Sequence, residues 1–107
     1  MLAELIAMLK LLGLPVTYNH WNPGQVPQLP YLVVTEIAPA DLIADGVRYY
    51  KTKNFNIEYY FENKDPDLET KIESFFEHED IGYLPFEDIW IAEEKFYEKI
   101  YEINLGE

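Results

Sequence analysis

The chain has 107 residues, with 49% hydrophobic and 16% aromatic side chains, no cysteine, and a formal net charge of −12. That length accommodates one domain, 1–107, around one hydrophobic core. The apolar content is too high for a disordered chain, and the missing cysteines exclude a disulfide framework, a thiolate metal site and a cysteine nucleophile. The charge is uneven: residues 1–57 hold four acids and four bases, whereas residues 58–107 hold sixteen acids and four bases. A surface of that sign repels a phosphate backbone, so direct nucleic-acid binding is not expected.

Along the chain, Leu2, Leu5, Ile6, Leu9 and Leu12 recur at helical spacing, and Gly13 before Leu14 and Pro15 supplies a stop. The stretch 1–14 lacks the basic start and small-residue cleavage site of a signal peptide, and it is shorter than the roughly 20 apolar residues of a membrane span. It reads as structure, and no membrane partner is expected. Met1, Met8 and Leu11 make this helix apolar nearly all round. The surplus is either an interface or a second face buried within the subunit.

Val16, Tyr18 and His20 alternate with Thr17, Asn19 and Trp21 as a short strand does. Residues 22–30 contain Pro23, Gly24, Pro27 and Pro30 and predict an ordered loop. Residues 31–37 are β-branched and aromatic enough for a buried strand. Residues 38–45 form a second connection, and Asp45-Gly46 is a hairpin-type turn leading into 47–51. Phe55, Ile57, Tyr59 and Phe61 alternate with Asn54, Asn56, Glu58 and Tyr60, which predicts a strand with one buried and one wet face in an antiparallel sheet.

Asp65 as N-cap and Pro66 at the first helical position, followed by Leu68, Ile72, Phe75 and Phe76, predict a helix over 66–78 whose polar face carries Asp67, Glu69, Glu73 and Glu77. Residues 81–86 contain Gly82 and Pro85 and read as a connection, and 88–91 as a short strand. From 95 onward Tyr97, Tyr101, Ile103 and Leu105 alternate as a strand, while Phe96, Ile100 and Ile103 also fit a helix. Aromatic and β-branched content, with Glu93-Glu94 as a turn, favours a terminal hairpin. The expected fold is α+β, with two helices packed on one face of a mostly antiparallel β-sheet.

Catalytic signals are weak. Ser74 and His78 share a helix face, but the surroundings are acidic and no oxyanion-hole glycine motif accompanies them. The clusters Glu77, Glu79, Asp80 and Glu93, Glu94 lack calcium-loop spacing, and no phosphate loop or zinc motif is present. No catalytic residue, metal ligand or cofactor site is expected. The aromatics are more unusual: nine Tyr, six Phe and two Trp. Trp21, Tyr49, Tyr50, Tyr60 and Trp90 exceed what a small core readily absorbs, and such side chains either serve an interface or lie partly on a wet sheet face. The candidate interface residues are Trp21, Pro23 and Gln25 in the first loop, Leu42 and Ile43 in the second, and Tyr49 and Tyr50.

The apolar starting helix running into GLPVTYNHW (13–21), the strand PYLVV (30–34), the run ADGVRYYKTKNFNIEYYFENKDPDLETKIE (44–73) and the tail IAEEKFYEKIYEINL (91–105) follow one another in a familiar order. In this the chain resembles the small tail-completion or head-to-tail joining proteins, also called minor structural proteins, of long-tailed phages and prophages of Gram-positive bacteria. The resemblance implies an α+β fold, a ring of copies between the head connector and the tail tube, residence in the virion and in the host cytoplasm during assembly, and no enzymatic activity. A different class of function, an acidic inhibitor that mimics DNA and binds a host protein, is suggested by the charge excess of the second half.

Overall fold

The computed structural model describes residues 2–37 and 52–106. The first helix, α1 (Leu2–Lys10), places Leu5 and Leu9 in the core, and Leu2, Ile6 and Leu12 pack against its margin. Little is left of the apolar surplus seen in sequence: among the described residues of this stretch, Leu11 alone of the large apolar side chains is strongly exposed, at 84%. The helix ends in a tightened turn, with the amides of Leu12 and Gly13 donating to the carbonyls of Leu9 and Lys10, and Gly13 adopts φ +90°.

The strands are β1 (Val16–Tyr18), β2 (Tyr31–Ile37) and β3 (Thr52–Phe61), followed after the second helix by β4 (Gly82–Pro85), β5 (Ile89–Ile91) and β6 (Phe96–Gly106). They form one sheet in the order β1-β2-β3-β6-β4, with β5 also paired to β6. β1 runs parallel to β2, and every other pairing is antiparallel. A parallel pair cannot be joined by a tight hairpin and needs a crossover of about a dozen residues. That requirement explains the proline-bearing segment between β1 and β2, which returns the chain to the same end of the sheet. The expected strand over 47–51, and the connection 38–45, lie outside the described residues.

Residues 81–86 correct the sequence reading, because β4 occupies most of what looked like a connection. Its partner Tyr101 lies opposite Pro85, and proline is tolerated there since an edge strand leaves half of its backbone groups unpaired. The tail is the strand of the two readings, paired with β3 from Thr52↔Gly106 to Phe61↔Tyr97.

The second helix, α2 (Pro66–His78), starts at Asp65, whose carboxylate accepts from the Leu68 amide at 3.2 Å. Such a cap contributes about 1 kcal/mol. At the other end Asp80 takes the left-handed conformation, φ 59°, while the amides of Asp80 and Ile81 donate to the carbonyls of Glu77 and Phe76. This is the two-bond closure that usually employs glycine, and it delivers Ile81 to the core margin and the chain straight into β4. Both helices cover one face of the sheet. Leu5, Leu9, Ile72 and Phe76 meet Leu32, Val34, Phe55, Ile57, Tyr59, Phe61, Tyr101 and Ile103 in one buried cluster.

Candidate protein-docking surface

The face of the sheet turned away from the helices carries the more informative chemistry. Register places Tyr31 opposite Tyr60 and Tyr60 opposite Glu98, so these three side chains form a row across β2, β3 and β6. The crossover lays Trp21 edge-on against Tyr31, with ring centroids 5.6 Å apart, and Tyr60 meets Tyr31 at 5.3 Å and Phe96 at 5.6 Å. Tyr31 and Val33 are thereby buried although they point away from the helices, and β2 is covered on both sides along its first half. Between these rings lies a groove of about 320 Å3 whose margins include Glu58 and Glu94.

The Tyr60 hydroxyl sits 2.9 Å from Glu58 Oε1 and 2.8 Å from Glu98 Oε2. It has one proton and donates to one carboxylate at a time. Thr35 Oγ1 donates to the other oxygen of Glu58 at 3.0 Å. Burial, then the hydrogen bonds and charges of Glu98 and Glu58, push the Tyr60 phenol well above its ordinary range; Tyr31 is raised by burial and by the charge of Glu94. Trp21 Nε1 is buried with no hydrogen-bond partner.

The same face continues to the β4–β5 edge. Leu84 is 55% exposed, Phe86 43% and Ile89 47%, and Trp90 is 50% exposed on the opposite side, with its ring 4.9 Å from Tyr97. Leu84 lies opposite Glu102 and Ile89 opposite Glu98, so an apolar edge is bordered by carboxylates. Three exposed large hydrophobic side chains within six residues on this face, with Trp90 behind them, is the arrangement expected of a contact surface rather than of scattered exposure.

Helix α2 differs from expectation in its acids. Glu69, Glu73 and Glu77 recur every four residues and turn toward the protein: Lys64 Nζ donates to Glu69 at 2.9 Å, the Tyr101 hydroxyl to Glu73 at 2.9 Å and the Tyr83 hydroxyl to Glu77 at 2.7 Å. Glu69 is 8% exposed, which corrects its assignment to a solvated polar face. Lys64 also bridges to Asp88 at 2.8 Å, tying the start of α2 to the β4–β5 connection. The hydrogen bond that Tyr83 donates to Glu77, and then desolvation, push its phenol up to about 12. Burial and the hydrogen bond to Glu73 raise Tyr101. Tyr59, whose buried hydroxyl has no hydrogen-bond partner, is pushed up to about 12 by burial and then by the charge of Glu69.

Of the candidate interface residues, Trp21 lies in the aromatic groove. Pro23 and Gln25 are exposed in a turn of the crossover, where the Gln25 amide donates to the Asn22 carbonyl at 2.9 Å. Leu42, Ile43, Tyr49 and Tyr50 lie outside the described residues. Tyr31, Phe96, Leu84, Phe86 and Ile89 were not anticipated. Ser74 and His78 are both exposed on α2, and His78 Nδ1 lies 3.1 Å from Glu79. Among the described residues no group of three or more His, Cys, Asp or Glu side chains converges as a metal ion would require, and no described helix is long and apolar enough to cross a membrane. Comparison with protein-family models, curated proteins and solved structures finds no match.

Proposed function

We propose that this chain is a non-enzymatic structural protein that docks at the junction between the tail tube and the head connector of a long-tailed phage, several copies forming a ring. The resemblance in sequence supplies the location. The observation that carries the docking role is the apolar β4–β5 edge, with Leu84, Phe86, Ile89 and Trp90 each roughly half exposed. An edge strand with apolar side chains is suited to contact with another protein. A charge of −12 opposes spontaneous self-association, so the ring forms on a template whose contacts offset the repulsion. The same charge lets DNA pass without adhering. The chain then resides in the virion, and in the host cytoplasm during assembly. The DNA-mimic reading is disfavoured because Glu69 is buried and Glu69, Glu73 and Glu77 each accept a hydrogen bond from within the chain, from Lys64, Tyr101 and Tyr83.

Deleting the gene from an inducible prophage tests this reading. The expected result is filled heads and finished tails that remain separate, with infectious particles restored by the gene supplied in trans. Joined particles at normal titre after deletion would contradict it.

A further inference from the structure

We infer that the groove between Trp21, Tyr31, Tyr60 and Phe96 receives the guanidinium group of an arginine side chain on a partner protein. This deepens the docking reading by naming what the open sheet face recognises. Neighbouring rings around the groove are inclined by 82°, 40° and 77°, so they line it as walls and are not consumed in face-to-face stacking. Aromatic surfaces of this kind attract organic cations through the negative charge above each ring.

The carboxylates sharpen the preference. Glu58 and Glu98 converge on the single proton of Tyr60, Glu94 stands at the margin, and no Lys or Arg among the described residues is ion-paired with any of the three. Like charges gathered around one donor are relieved by an incoming cation. A small hard metal ion would use the carboxylates and leave the rings idle. Guanidinium is planar, weakly hydrated and able to stack while it bonds to carboxylates, a combination that ammonium lacks. Another copy of this chain is a poor source, since it brings a single arginine, Arg48, on a body of charge −12.

The test uses the full chain with Trp90→Phe, which makes Trp21 the sole tryptophan, titrated at low salt with acetyl-Leu-Arg-Leu-amide and followed by Trp21 emission. Counterparts with lysine or with uncharged citrulline in the middle position are titrated alongside. The expected result is a saturable change with the arginine peptide. Binding should weaken about tenfold with citrulline and in a Glu58→Gln, Glu98→Gln variant, a factor in the range of a desolvated cation–aromatic contact, and the lysine peptide should fall between. If the double variant lowers the melting temperature, Phe96→Leu replaces it in the comparison. No saturable change, an equal response to citrulline or lysine, or undiminished binding to the folded variant would overturn the inference. So would self-association abolished by Arg48→Ala. Because the assay uses the isolated chain, its failure is distinguishable from a failure of the gene-deletion test.

Discussion

Replacing Phe76 with alanine should destabilise the protein by about 3–5 kcal/mol, the usual loss when a buried aromatic ring is truncated. Phe76 is fully buried, and its ring lies 5.2 Å from Tyr83 and 5.6 Å from Tyr101. Its carbonyl also accepts the Ile81 amide that closes α2. One side chain therefore joins the second helix to both β4 and β6. Against the 5–15 kcal/mol that holds a typical domain, the loss should lower the melting temperature by roughly 15–30 °C. A urea melt of Phe76→Ala beside Leu84→Ala checks it: the first should shift far and the second little. Comparable shifts would show that the core is not centred where α2 meets the sheet.

Alkaline unfolding should be steep. Tyr59 and Tyr83 are pushed up to about 12, and Tyr60 and Tyr101 are raised as well, from an ordinary value of 10.0. A raised tyrosine keeps its proton in the folded state after the unfolded chain has released it. The stability it supports is therefore complete below pH 10 and declines as pH rises through the folded value. Of these tyrosines, Tyr59, Tyr60 and Tyr101 are the ones held by burial, and each that retains its proton contributes a slope of about 1.4 kcal/mol per pH unit in that window. Growing negative charge on an already acidic chain acts in the same direction. Urea midpoints measured from about pH 8 to about pH 12 should be level at first and then fall, and Tyr101→Phe should shallow the fall. A level profile to the top of the range would contradict the placement of Tyr59 in the core and of Tyr60 and Tyr101 against carboxylates.

The sequence was most readable where local signals and tertiary demands coincide. Helix α2 spans the residues bracketed by Asp65, Pro66 and His78, and β2 the run from Tyr31 to Ile37, because capping chemistry and β-branched content both act within a few residues. Strand β4 was obscured because Gly82 and Pro85 are breakers in a central strand but not at an edge. The parallel pairing of β1 with β2 has no local signal, since it depends on where the crossover ends. Of the groove residues, the sequence marks Trp21 as a candidate interface residue and Tyr60 as one of the surplus aromatics. Tyr31, Tyr60 and Phe96 come from three strands and meet through register alone. A signal was available in the alternation of Glu58 with Tyr60 and of Phe96 with Glu98, which puts rings and carboxylates on one sheet face.

The measurement that bears most directly on a docking role is complementation of the deleted prophage gene by a Leu84→Asp, Ile89→Asp variant, with a melt of the purified protein beside it. Both side chains are about half exposed, so the melt should shift by no more than about 1 kcal/mol of stability. The predicted result is a folded protein and a titre no better than that of the deletion. A normal titre from a variant with an unchanged melt would contradict docking through the β4–β5 edge.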